Sequence, residues 1–226
     1  MLKFLTKAII FLGVVVGAIT FVYLYDLYQE IKDDIDSVVN YNPKQSTQFF
    51  DKNGKLLANT FKDENREYVN YDDIPARVIE GLVAIEDTQF FDHFGVNPDA
   101  ISRAVIKNIQ SGGYSEGAST LTQQLIKVLL LSREKKIIRK VKEALLAIRL
   151  ETILTKEEIL ERYLNHVYFG HGYYGVKTAA KGYFKKNLYE LTLKEIAILV
   201  GLPRAPSFYD PTKNLQVSLA RANQVI

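Results

Sequence analysis

Residues 75–95 read PARVIEGLVAIEDTQFFDHFG, and the periodicity of this stretch sets the fold class. Pro75 suits a first helical position, where its missing N–H would be unpaired anyway. Val78, Leu82, Ile85 and Gln89 then share one face, mostly apolar, as an amphipathic helix requires. Glu86 and Asp87 come late in that helix. Carboxylates near a helix C-terminus oppose the macrodipole, and local disagreements of this kind concentrate at functional sites. A carboxylate beside Phe90 and Phe91 suits general acid or base chemistry. The plainer alternative is a solvated acidic pair next to ordinary core aromatics.

Downstream the pattern stays mainly helical. Asn97-Pro98 reads as an N-cap followed by a proline start. Thr120 with Gln123, Thr155 with Glu158, and Thr192 with Glu195 have capping-box spacing. A helix is expected from about Arg133 to Leu154, carrying Ile137, Ile138, Val141, Leu145 and Ile148. Loops are expected at 111–113, 170–175 and 203–211. Upstream, Asn53-Gly54 within QFFDKNGKLL (48–57) is a hairpin signal, and 68–71 suggests one further strand.

Further back, Ala8 to Tyr25 is an uncharged apolar run of 18 residues, near the lower limit for a membrane-spanning helix. Lys3 and Lys7 precede it, and Asp26, Glu30, Asp33, Asp34 and Asp36 follow. The positive-inside rule puts the N-terminus in the cytoplasm and the rest outside. A cleaved signal peptide is the alternative, but no small-x-small cleavage site follows. The expected organisation is a cytoplasmic tail (1–7), an anchor (8–25), a linker (26–46) and a main folded domain (47–226). The linker divides into an acidic amphipathic stretch to about Asn40 and an extended connector near Pro43.

With 226 residues, 47% of them hydrophobic, the chain can bury a proper core, which excludes disordered and collagen-like classes. Having no Cys excludes a thiolate nucleophile and Cys-based metal sites, and three His argue against a His-rich one. A net charge of +3 is no argument for nucleic acid. The distribution says more. Residues 127–149 hold eight basic side chains against two acidic ones, a local +6. Lys136, Arg139, Lys140 and Glu143 form one helical stripe that suits phosphate or pyrophosphate. A solvated charged face is the bland alternative. The segment GASTLTQQLIK (117–127) is a glycine-bearing loop feeding a helix N-terminus, suited to an anion or to sugar hydroxyls, with Gln124 and Lys127 on one face. KEEILERYLN (156–165) and RAPSFYDP (204–211) read as architectural.

Taken in order, EDTQFFDHFG, GASTLTQQLIK, RKVKE, KEEILERYLN and RAPSFYDP resemble the five motif regions of the peptidoglycan glycosyltransferases, glycosyltransferase family 51. These are the polymerising domains of bifunctional penicillin-binding proteins and of monofunctional transglycosylases. The resemblance implies a mainly α, lysozyme-like domain with a small N-terminal β-hairpin region, preceded by a single transmembrane helix. It places the protein on the outer face of a bacterial cytoplasmic membrane. It implies polymerisation of lipid II into β-1,4 glycan with inversion and release of undecaprenyl pyrophosphate. Its partners would be lipid II, the growing lipid-linked glycan, the membrane and other cell-wall synthesis proteins, with no nucleic acid.

By the same resemblance Glu86 is the general base and Glu143 the second catalytic carboxylate. Glu143 either orients Lys140 or Arg139, or holds a divalent ion, magnesium or manganese; no obligatory cofactor is implied. Lys127, Lys135, Arg139 and Lys140 would neutralise the pyrophosphate, Ser119 and Gln124 would bind sugar or phosphate oxygens, and Asp87 would support Glu86. A membrane lobe is expected between Gly95 and Gly117, with Ile101, Ala104, Val105, Ile106 and Ile109 in lipid and Arg103 and Lys107 at the headgroups. The family domain is expected to continue past Ile226. Val128, Lys135 and Lys185 depart from the family pattern, Lys185 standing where Gly is usual. A lysozyme-like glycan-cleaving enzyme and a non-catalytic assembly module are the competing readings. A cleaving enzyme has no use for the basic stripe, since its leaving group is a sugar hydroxyl.

Overall fold

In the computed structural model, residues 2–40, 42–62, 64–113, 117–131 and 136–225 are described. The chain opens with one long helix, α1 (Leu2–Ile31), followed by a short α2 (Ile35–Val39). Strands β1 (Thr47–Phe50) and β2 (Leu56–Thr60) pair antiparallel around Gly54, whose positive φ of 79° the turn requires. Strand β3 (Asn65–Arg66) follows. Helices α3 (Ala76–Glu86), α4 (Pro98–Ser111), α5 (Leu121–Leu129), α6 (Lys136–Glu151) and α7 (Lys156–His166) make the body. Strand β4 (Tyr173–Tyr174) runs parallel to β3, and α8 (Val176–Phe184), α9 (Leu193–Gly201) and α10 (Leu215–Ala222) complete the described chain.

The expected start signals act as expected. Asn97 Oδ1 accepts from Ala100 N at 2.9 Å. The boxes Thr120/Gln123, Thr155/Glu158 and Thr192/Glu195 all close reciprocally. Each satisfies two backbone donors that would otherwise be orphaned, worth roughly 0.5–2 kcal/mol per cap.

The core is helical. Leu121, Leu125 and Ile126 of α5 pack with Leu146 and Leu150 of α6 and with Ile159, Leu160 and Leu164 of α7. Val78 and Leu82 of α3 meet Ile196, Leu199 and Val200 of α9.

Several expectations change. Pro75 caps α3 from outside, with extended ψ of 133°, and the helix ends at Glu86, so Gln89 lies in the following turn rather than on its face. Residues 68–71 form no strand among the described residues. The Asn165 side chain takes both Val69 N and Val69 O, and Glu161 takes Tyr71 N, so the backbone groups a ladder would use are already bonded. The apolar residues expected to define α6 are not its buried face: Ile137, Ile138 and Ile148 are exposed and Val141 and Leu145 half-buried, while Leu146, Ala147 and Leu150 face the core.

The amphipathic first part of the expected linker is helical and packed, and residues 42–46 after it carry no helix or strand. Leu27, Ile31, Ile35 and Val38 are all buried in the helical core. Lys142 pairs with Glu30 at 3.2 Å, and Arg162 donates to the carbonyls of Val38 and Val39. The apolar part of α1 is bare, and the helical stretch Phe4–Val39 is long and apolar enough to cross a membrane.

Candidate active site

Glu86 ends α3, and the chain turns sharply after it because Asp87 leaves helical geometry. Asp87 Oδ2 accepts from Leu121 N and from the His93 ring, each at 3.0 Å. A buried carboxylate thus sits at the N-terminus of α5, where the helix dipole favours it. That contact locks the end of α3 onto the start of α5. The turn closes at Gly95, whose carbonyl accepts from Thr120 Oγ1 at 2.6 Å.

Both Glu86 oxygens are held. Gln124 Nε2 donates to Oε2 at 3.1 Å, and Arg221 donates to Oε1 at 2.9 Å. Gln124 is held in turn by the Tyr163 hydroxyl, which donates to its Oε1 at 3.2 Å. Burial, and then the Glu86 charge, push the Tyr163 hydroxyl well above its ordinary value, so it remains a donor.

The second carboxylate, Glu143, is completely buried on α6. Arg139 Nε donates to its Oε1 at 3.0 Å and Lys140 to its Oε2. Lys140 Nζ also reaches Ser119 Oγ at 2.8 Å, tying the glycine-bearing loop to the basic helix.

These groups face one cleft of about 480 Å³. Glu86, Asp87, Ser119, Gln124, Lys127, Lys140 and Glu143 all line it, joined by Arg103 and Arg204. Arg139 is not among the described residues lining the cleft; its guanidinium braces Glu143 from the side. Lys135 lies outside the described residues. Asp87 and Gln124 make their bonds within the protein, so both support the site around Glu86. Glu143 is a poor metal ligand here, because two cationic side chains already occupy its oxygens. Among the described residues no group of three or more His, Asp or Glu is placed to hold a metal.

Sequence reasoning missed Tyr163 and Arg221. Tyr163 stood in a segment read as architectural, and the rest of that segment is: Glu161, Arg162 and Asn165 clamp the N-terminal segments. Arg221 carried no local signal, being 135 positions from its partner. Arg204 sat in a turn read as structural. The expected lipid-facing side of α4 is exposed at Ile101, Val105, Ile106 and Ile109, but Ala104 turns inward and is buried.

Comparison with known proteins gives the family. A family model described as Transglycosylase matches residues 53–226. Penicillin-binding protein 1A of Aquifex aeolicus is 42% identical over 217 residues, covering 95% of this chain and 30% of that protein. Penicillin-binding protein 1A of Vibrio cholerae is 39% identical over 230 residues, covering 100% of this chain and 27% of that one. A crystal structure of Penicillin-binding protein 1A from Haemophilus influenzae aligns at 28% identity over 81% of this chain and 18% of its own, with a TM-score of 0.44. The chain spans less than a third of the length of these relatives. The family match covers both carboxylates and every cleft cation named above, and so the chain belongs to the transglycosylase family.

Proposed function

We propose that the chain is a peptidoglycan glycosyltransferase that polymerises lipid II. The observation that carries this reading is one cleft holding the Glu86 carboxylate together with Lys127, Lys140 and Arg204. A carboxylate can take a proton at one end while cations receive an anionic leaving group at the other.

The acceptor is lipid II and the donor is the growing lipid-linked glycan. Glu86 takes the proton from the acceptor 4-hydroxyl as its oxygen bonds the donor anomeric carbon. The bond from that carbon to the pyrophosphate breaks, and the electron pair leaves with the pyrophosphate. Attack from the opposite face inverts the α-linkage to β-1,4. Lys127 and Lys140 stabilise the charge gathering on the pyrophosphate, with Arg139 and Glu143 holding Lys140 in place. Ser119, fixed by Lys140, offers its hydroxyl to sugar or phosphate oxygens. A hydrolase expelling a sugar hydroxyl would have no use for this cationic wall. No step runs through a divalent ion, since Glu143 is already doubly paired.

The α1 helix spans the cytoplasmic membrane with Lys3 and Lys7 inside and the cleft outside, where lipid II is presented. The exposed apolar side of α4 dips into the same leaflet. The test is polymer formation from labelled lipid II by the detergent-solubilised protein beside Glu86→Gln. Polymer from the parent alone supports the reading; polymer from both removes Glu86 as base; polymer from neither removes the activity.

A further inference from the structure

Arg221 approaches Glu86 from α10, at the far end of the described chain. Its guanidinium is buried, with the side chain only 6% exposed, and NH2 lies 2.9 Å from Glu86 Oε1. Three neighbours set its course. Gly201 leaves room for the stem, since a Cβ there would sit 3.0 Å from Arg221 Cγ. The Tyr209 ring lies 5.8 Å from the guanidinium carbon, and NH1 donates to Gln224 Oε1 at 2.9 Å. Yet Arg221 Nε is buried and has no hydrogen-bond partner among the described residues. An unpaired buried donor costs stability. The fold therefore holds this guanidinium against Glu86 despite a local penalty, as functional sites often do.

The two Glu86 oxygens thereby become unequal. Oε1 accepts a charge-assisted bond from a cation, whereas Oε2 accepts from the neutral amide of Gln124. A proton arriving at Oε1 would have to displace or face a positive charge. We infer that Arg221 is a positioning residue for the reaction: it claims Oε1, fixes the carboxylate plane, and leaves Oε2 to take the acceptor proton. The balance is that of the proposed transfer. The acceptor O–H bond breaks, its proton rests on Oε2, its oxygen bonds the anomeric carbon, and the pyrophosphate departs with the electron pair. Arg221 keeps its contact throughout. This inference rests on the reading of Glu86 as the base.

The test measures initial rates of polymer formation over a range of lipid II concentrations, using the full chain in detergent. Parent, Glu86→Gln, Arg221→Ala and Arg221→Lys are compared, with melting temperatures alongside. Arg221→Ala is expected to lower kcat roughly 30-fold or more while KM moves less than about threefold. Millimolar guanidinium, against sodium chloride of equal strength, is expected to restore kcat in Arg221→Ala and to leave Glu86→Gln inactive. If Arg221→Ala does not fold, Arg221→Lys carries the test: it keeps the charge without the fork, and kcat falls about fivefold or more at unchanged KM.

Parental rates in the folded variant, a rise in KM with kcat unchanged, or a loss that guanidinium does not rescue would each overturn the inference. If the parent makes no polymer, or Glu86→Gln still makes it, the proposed function falls and takes this inference with it. A dead Glu86→Gln beside an unimpaired Arg221 variant removes the inference alone.

Discussion

Gly95 lies directly against the backbone of Ala147: a Cβ built on Gly95 would fall 2.5 Å from the Ala147 carbonyl carbon. Its φ of +78° disfavours any side chain as well. The turn carrying Glu86 and Asp87 therefore sits on α6 with nothing between. Gly95→Ala is expected to destabilise the fold by about 2–4 kcal/mol through overpacking and backbone strain. In a chain of this size that lowers the melting temperature by about 5–15 °C. A thermal melt within 2 °C of the parent, on the order of experimental scatter, would refute the close contact.

Lys185 gives the opposite expectation. It ends α8 in the left-handed conformation, φ 58° and ψ 32°, a backbone geometry that favours Gly. Among the described residues its side chain reaches only the Gly182 carbonyl, and it is exposed. Lys185→Gly should stabilise the protein by about 0.5–1 kcal/mol, raising the melting temperature by a few degrees. A lower melting temperature would mean that the lysine contributes more than its backbone costs.

The Glu143 cluster predicts non-additive kinetics. Lys140→Met removes a cleft cation and should lower kcat about a hundredfold. Glu143→Gln leaves Arg139 and Lys140 without their shared anion and should cost a similar factor. Because both act on one ammonium group, the double variant should fall well short of the product of the two losses. Losses that multiply would show that Glu143 works independently of Lys140.

His166 predicts a stability term below neutrality. Burial, and then the Arg66 charge, lower its pKa from 6.5 to about 4. The unfolded chain binds the proton more readily, so stability is full above 6.5 and lost as pH falls from 6.5 towards 4. The loss approaches about 3 kcal/mol at most. Denaturant melts from pH 7 to 4 should fall less steeply for His166→Gln than for the parent. Parallel pH curves would remove His166 as the cause.

The chain contains no Trp, so a single one can report on the membrane without background. Ile109 is 75% exposed on the apolar side of α4. In lipid vesicles, Ile109→Trp should emit at shorter wavelength than in detergent-free buffer with excess denaturant. It should also be quenched by brominated acyl chains. Emission unaffected by bromination would place α4 away from the lipid.

Local chemistry was the legible part of this protein. The three Thr capping boxes, the Asn97 cap and the Asn53-Gly54 turn depend on neighbours within a few residues, and all formed where spacing put them. Glu86, Lys127, Lys140 and Glu143 were found because charge density and motif spacing are also local, and the fold then gathered them into one cleft. Long-range substitution of one bonding partner for another was not legible. Residues 68–71 have strand-like composition, yet a side-chain amide 96 positions away supplies the partners for Val69. Arg221 is the same case at the active site. Nothing near it marks it, and only the packing of α10 on α9 brings it to Glu86.

The burial of Leu27, Ile31, Ile35 and Val38 has a mechanical consequence. A 30-residue helix is about 45 Å long, some 15 Å more than a hydrocarbon core. The last turns of α1 are built into the wall of the domain, and the helix is unbroken between its bare part and its buried part. If α1 spans the bilayer as proposed, it is a rigid post, and the cleft stands at one fixed height and heading above the lipid surface. A substrate that cannot leave the leaflet need only diffuse sideways to arrive in register. Splicing a few flexible residues into the middle of α1 would leave every cleft residue intact and still take that alignment away.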